Sequence, residues 1–205
     1  DENNLKGTIY NMDKNKILNN RISQKILFNK TIFFIAQNYF KSAPLFDHLS
    51  LTISAKSKNP DSSSAQLFHF DLDKPKWLKF FIFLNDVDEN NGPHFYVPKS
   101  HKNSGIVKEI RYRGYERIED NIVHKNYNDI KLMTAKKGTL LIEDTRGLHK
   151  GSAVKKNYRC IAMIQYNNSN FVTDVTKYNL NIYENNDNEF YNSNITSYSN
   201  LHIIK

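Results

Sequence analysis

The stretch Gln66-Leu-Phe-His69-Phe-Asp71 constrains this chain more than any other part of it. In an extended strand, residues i and i+2 leave the backbone on the same face. A short strand here aims His69 and Asp71 at one interior point. A second stretch, Asp144-Thr-Arg-Gly-Leu-His149, ends on another histidine after a glycine-bearing turn, and Arg159 follows on an adjacent strand. Two imidazoles and one carboxylate occupy one face of an octahedron and leave three positions open, a donor set that suits mononuclear non-haem Fe(II). A nearby arginine adds a planar fork suited to a dicarboxylate. Taken singly, each group has a plain structural explanation: a surface His–Asp pair, a turn histidine, an edge-strand cation. Their joint placement at strand ends favours a site.

The remaining pattern indicates the scaffold. Residues 14–42 are expected to be helical, with Leu18, Ile22 and Ile26 at four-residue spacing and a second apolar stripe over 31–40, ended by Ser42 and Pro44. Residues 48–55 alternate in part, as a strand does, and 56–65 read as a loop. A nearly continuous apolar run over 77–84, with Lys79 inside it, reads as a buried strand before an acidic turn. Further strands are expected at 95–97, 138–143 and 158–166. On the last, Arg159, Ile161, Met163 and Gln165 share one face. Residues 99–137 read as a charged insertion or lid, and the Asn- and Tyr-rich 167–205 as a partly ordered extension. Many short strands without a βαβ rhythm imply a mainly β fold: a double-stranded β-helix, or jelly roll, with flanking N-terminal helices. The expected organisation is a single domain over 1–205, with helical support at 1–55 and the jelly-roll core at 66–166.

Composition sets outer limits. The formal net charge of +8 favours anionic partners, although a solvated Lys-rich surface explains it equally simply. No arginine-rich run or nucleic-acid fold signature is present, which disfavours nucleic acid as a partner. Cys160 is the single cysteine, so no internal disulfide can form. No apolar run approaches the roughly 20 residues a bilayer span needs. A cytoplasmic location is the expectation, for a chain that begins at Asp1 rather than Met. Oligomeric state has no sequence signal.

The chain resembles the phytanoyl-CoA dioxygenase family of Fe(II)/2-oxoglutarate oxygenases. The matching text is the 66–71 stretch, Leu78-Lys-Phe-Phe-Ile-Phe-Leu-Asn-Asp-Val-Asp-Glu-Asn-Asn-Gly-Pro93, Tyr96-Val-Pro-Lys-Ser-His101, Gly138-Thr-Leu-Leu-Ile-Glu-Asp-Thr-Arg-Gly-Leu-His-Lys-Gly151 and 159–166. The resemblance covers about half of the chain. It implies that His69, Asp71 and His149 bind Fe(II), and that Arg159, assisted by Ser152, clamps the distal carboxylate of 2-oxoglutarate. Lys79 and Asn85 are further candidates for the co-substrate, and Gln66 and Arg146 for a small-molecule substrate. Arg146 is also placed to hold its own turn by pairing with Asp144. Dioxygen is the oxidant, succinate and CO2 are co-products, ascorbate is an optional reductant, and hydroxylation is the expected outcome. Two departures stand out: Lys99 occupies a turn position where the family often has glycine, and the N-terminal part is short. The alternative to an oxygenase is a non-catalytic or redox-neutral metal-binding jelly roll of cupin type, in which Arg159 would have no specific task.

Overall fold

Alternation along the strand from Tyr158 to Asn167 divides the molecule in two: one face of its sheet meets helices, and the other faces the metal-ligand candidates. The computed structural model describes residues 9–56, 65–170 and 177–204. The chain runs β1 (Ile9–Asn11), α1 (Lys14–Leu18), α2 (Arg21–Leu27), α3 (Lys30–Phe40), β2 (Leu45–Ala55), β3 (Trp77–Phe83), β4 (His94–Tyr96), α4 (Lys108–Arg111), α5 (Asp120–Asn126), β5 (Lys131–Met133), β6 (Leu140–Glu143), β7 (His149–Gly151), β8 (Tyr158–Asn167), β9 (Tyr178–Leu180), α6 (Asn185–Ser193) and β10 (Leu201–Ile203). A five-stranded sheet in the order β1-β2-β8-β3-β6 and a three-stranded sheet in the order β5-β4-β7 make the jelly roll, all pairs antiparallel. β9 and β10 form a separate parallel pair.

Register explains the two faces. Ile164 pairs with Leu49 and Phe80, and Tyr166 with Phe46 and Leu78. These apolar residues pack against Ile17, Leu27, Ile32, Phe33 and Ala36 of the helices in one buried cluster. On the opposite face Arg159 pairs with Ser54, Ile161 with Thr52 and Phe83, Met163 with Ser50 and Phe81, and Gln165 with His48 and Lys79. This inner wall is polar at both ends; between them β3 and β8 present apolar side chains and β2 presents Ser50 and Thr52.

The helical region differs from the expected continuous pattern. Asn20 and Asn29 each accept backbone N–H bonds at a helix N-terminus, so three short helices replace one run. The break rotates the 18–22–26 stripe out of register, and Ile22 is 77 % exposed. β2 is an interior strand of the main sheet, between β1 and β8, so the β framework begins before residue 66, and 1–55 is not purely helical support. The expected strand at 66–71 is an extended segment held by single bridges, Phe68 to Ile118 and His69 to His149. The region 99–137 carries α4, α5 and β5. Its Ile110, Ile118 and Val123 form a second small core with Phe68, Phe70, Val97 and Leu148. Lys99 takes a left-handed φ of 68°, so lysine occupies a backbone conformation that costs glycine nothing. No helix among the described residues is long and apolar enough to cross a membrane.

Buried tyrosines make the fold sensitive to alkali. The hydroxyls of Tyr166 and Tyr198 both donate to Leu27 O, 3.2 and 3.1 Å away. Burial raises both phenols, and burial followed by the Asp144 hydrogen bond raises Tyr39 to about 12. The folded state therefore holds protons that the unfolded chain releases once pH passes the ordinary tyrosine value. Stability is fully present below about pH 10 and falls as pH rises through the folded values, by up to ~1.4 kcal/mol per pH unit for each of the fully buried Tyr166 and Tyr198. Urea midpoints at pH 8 and at higher pH test this; an unchanged midpoint well above pH 10 would contradict it.

Candidate metal centre

The same alternation that buries Phe68, Phe70 and Leu148 in the small core turns His69, Asp71 and His149 the other way. Three backbone bonds fix the two segments against each other: His69 N to His149 O at 2.9 Å, His149 N to His69 O at 3.0 Å, and Asp71 N to Thr145 O at 3.0 Å. One candidate ligand atom from each of the three side chains lies within 4.8 Å of the others. Nε2 of each imidazole is 3.7 Å from an Asp71 oxygen. Nδ1 of His69 lies 2.9 Å from Leu67 O, and Nδ1 of His149 lies 2.8 Å from Gly147 O. A carbonyl can only accept, so both Nδ1 atoms carry the proton and both Nε2 atoms keep a lone pair for a metal.

Electrostatics agree with a ligand set. Burial lowers His69 to about 4 and His149 to about 3, so both rings are neutral at physiological pH. Burial alone would raise the Asp71 carboxyl, but the charge of Lys79 and the hydrogen bonds from Lys79 and Thr145 outweigh it, and the carboxyl ends well below its ordinary value. Lys79 Nζ is 2.6 Å from Asp71 Oδ2. Lys79 thus contacts the carboxylate of the triad rather than an outside acid.

Arg159 stands at the other end of the inner wall. Its guanidinium donates to Gly92 O and, at 3.2 Å, to Ser54 Oγ, and packs over Gly151, two residues after His149. A Cβ at Gly151 would sit 3.3 Å from Nη1. Burial lowers this arginine to about 10, and it has no carboxylate partner among the described residues. The Ser152 hydroxyl is buried without a hydrogen-bond partner. A buried cation and a buried orphan hydroxyl are each costly unless a ligand answers them.

The other candidates divide differently. Asn85 is committed to main chain: its Nδ2 donates to Asp86 O and Tyr158 O, and its Oδ1 accepts from Cys160 N. It ties the ends of β3 and β8. Arg146 forms a fork with Asp144, Nη2 to Oδ2 at 2.6 Å, and donates to Pro75 O. That arginine holds the turn before His149, one of the two roles its sequence position suggested. Gln66 is buried beside Ala65, whose carbonyl accepts from Gly151 N.

One pair escaped sequence reasoning. His94 Nε2 lies 2.9 Å from Glu143 Oε1, and the His94 ring stacks on His149 with centroids 5.4 Å apart. Glu143 ends an apolar strand and is 5 % exposed. An acid at such a position demands a partner, and that was the available signal.

Gly147 supplies a sharp test of the turn. A Cβ there would overlap Tyr96 Oη, and Tyr96 Oη bonds Asp144 O and contacts His101 Nδ1, each at 3.2 Å. Gly147→Ala must push Tyr96 aside and shift the carbonyl that orients His149. The expected cost is ~1–3 kcal/mol in stability and roughly tenfold or more in divalent-metal affinity. Thermal melts and metal titration measure the two; a variant matching the parent in both would show the turn to be slack.

Comparison with known proteins follows this geometry. The family model described as Phytanoyl-CoA dioxygenase (PhyH) matches residues 48–157. Comparison with curated protein sequences gave no match. Among solved structures, HygX from Streptomyces hygroscopicus with iron bound aligns at a TM-score of 0.57 and 14 % identity, covering 90 % of this chain and 80 % of HygX. The non-heme alpha ketoglutarate dependent epimerase SnoN from nogalamycin biosynthesis aligns at 0.56 and 16 % identity, covering 82 % of this chain and 64 % of SnoN. The carbocyclase SnoK from the same biosynthesis aligns at 0.54 and 20 % identity, covering 77 % and 62 %. The chain therefore spans less than two thirds of SnoN and of SnoK. These likenesses show a shared fold.

Proposed function

The chain belongs to the phytanoyl-CoA dioxygenase (PhyH) family, and from that premise we propose that it is an Fe(II)- and 2-oxoglutarate-dependent oxygenase that hydroxylates a small metabolite. One observation carries the reading: two imidazoles with free Nε2 atoms converge on one carboxylate, while a buried arginine without an acid partner faces the same interior. The donor set fits Fe(II), since His69, Asp71 and His149 supply one face and no fourth protein ligand crowds it among the described residues. Bound there with 2-oxoglutarate, the metal would supply dioxygen-dependent oxidation, with succinate and CO2 as co-products.

The chain's own residues do the rest. Leu67 O and Gly147 O hold the two rings in the metal-binding tautomer. Lys79 grips one oxygen of Asp71 and fixes the direction of its carboxylate. Arg159 offers the planar fork for the distal carboxylate of the co-substrate, and Ser152 offers its unpartnered hydroxyl. Between the polar ends of the wall, Phe81, Phe83, Ile161 and Met163 form an apolar stretch along β3 and β8, beside Ser50 and Thr52 of β2. SnoN is an epimerase and SnoK a carbocyclase, so product identity is the test that fixes the reaction as hydroxylation.

Anaerobic titration of the metal-free protein with Fe(II) and then 2-oxoglutarate tests the centre. A visible charge-transfer band is expected in the parent and absent in His149→Ala. A folded parent that binds Fe(II) and gives no band on adding 2-oxoglutarate would overturn the proposal and favour a redox-neutral metal protein.

A further inference from the structure

We propose that the cavity at the Lys79 end of the inner wall anchors the substrate, and that it takes a phosphoryl group. This deepens the oxygenase reading and rests on it for the word substrate; the anion site itself stands on geometry. The cavity has a volume of about 360 Å³, and Lys14, Lys74, Lys79, His48, Gln165 and Asn200 line it. Three ammonium groups line it with one carboxylate, Asp47, and the Lys79 ammonium also pairs with Asp71 beside it. Asp47 is already engaged, 3.3 Å from Lys74 Nζ and 2.6 Å from Gln165 Nε2. With both carboxylates counted one positive charge is in excess, which suits an anion, and lysines bind phosphoryl oxygens as mobile point charges. Burial, and after it the charge of Lys14, hold the His48 imidazole below its ordinary value against Asp47. His48 therefore adds a neutral hydrogen-bonding edge instead of a fourth cation.

A second observation points to a ligand independently. Asn200 Oδ1 is buried without a partner, although Asn200 is only 9 % exposed. An acceptor left in this state costs free energy unless something donates to it, and a hydroxyl on the carbon skeleton beside the phosphoryl group would do so. Position then links the cavity to the chemistry. Lys79 lines the cavity and also touches Asp71, so an anchored molecule lies one side chain from the metal triad. Gln165 is six residues along β8 from Arg159, roughly 20 Å at ~3.3 Å per residue. The two cationic ends are too far apart for one small dicarboxylate to use both, so they serve different molecules.

Trp77, the single tryptophan, has its ring 5.6 Å from Lys79 Nζ and reports on the cavity. Inorganic phosphate is titrated into the metal-free protein at low ionic strength and slightly alkaline pH, with tryptophan fluorescence as readout and acetate as control. The expected result is a saturable response, on the order of millimolar, weakened at least about fivefold in Lys14→Gln and Lys74→Gln, restored in Lys14→Arg and unchanged in Arg159→Ala. Lys74→Gln removes a partner of Asp47, so circular dichroism checks its fold and the Lys14 variants keep the test decisive. No saturable response to phosphate, an equal response to acetate, or a response lost in Arg159→Ala but kept in the lysine variants would overturn the proposal. Neither iron nor 2-oxoglutarate enters the titration. Phosphate binding without a charge-transfer band would sink the oxygenase reading alone, and a band without phosphate binding would sink the anchor alone.

Discussion

Arg159→Ala is expected to raise the 2-oxoglutarate concentration needed for half-saturation by roughly two to three orders of magnitude, with no loss of thermal stability. The first half follows from the value of a buried charge-assisted pair, whose truncation costs ~2–5 kcal/mol. The second follows from the surroundings. Arg159 is held by Gly92 O and Ser54 Oγ and has no acid among the described residues, and burial pulls it to about 10. Removing a buried cation that nothing neutralises relieves a desolvation cost, and this offsets the two lost hydrogen bonds. Arg159→Lys keeps the charge and loses the fork, so its half-saturation should fall between parent and alanine. The measurements are a 2-oxoglutarate titration at saturating Fe(II) and a thermal melt of each variant. A structural tie would give the reverse pattern: a melting temperature many degrees lower and an unchanged 2-oxoglutarate requirement. That outcome would remove the main support for a dicarboxylate co-substrate.

The triad was legible because its geometry is local. His69 and Asp71 need only an i, i+2 spacing, and the structure supplies it on an extended segment although no regular strand forms there. Arg159 and Gln165 were placed on one face by alternation alone, and the β8 register agrees. What was not legible depends on contacts that sequence spacing does not carry. Asn85 shares strand parity with Lys79, but the strand ends before it and its amide turns to the backbone of β8. The stripe of Leu18, Ile22 and Ile26 assumed an unbroken helix, whereas capping by Asn20 restarts the turn count. His94 and Glu143 lie 49 residues apart and meet only because β4 and β6 belong to facing sheets. The same distance effect hid the cavity beyond Lys79, which draws on β1-proximal, sheet and C-terminal residues together.

The C-terminal part was the least legible, and it carries the largest expected effect on folding. A chain ending at residue 183 is expected to lose its cooperative unfolding transition. Asn and Tyr dominate the composition there, yet Phe190, Tyr191, Tyr198 and Leu201 are all buried in the cluster that covers the outer face of the main sheet. Tyr198 is fully buried, stacks at 6.2 Å on Phe33, and meets Phe28 at 5.4 Å. Its hydroxyl closes the C-terminal end of α2 through Leu27 O, beside Tyr166. Deletion exposes the partners of four large side chains at once, and at ~2–5 kcal/mol each the sum reaches the ~5–15 kcal/mol that a whole domain commands. Point variants grade the claim. Tyr198→Phe keeps the ring, and Tyr166 still serves Leu27 O, so the cost should be about 1 kcal/mol. Tyr198→Ala also opens a cavity, and ~3–5 kcal/mol corresponds to a melting temperature lower by roughly 10 °C or more. Melts followed by circular dichroism measure all three. If the shortened chain melts cooperatively within a few degrees of the parent, the tail lies outside the folding unit, and the cavity that needs Tyr178 and Asn200 loses its fixed wall.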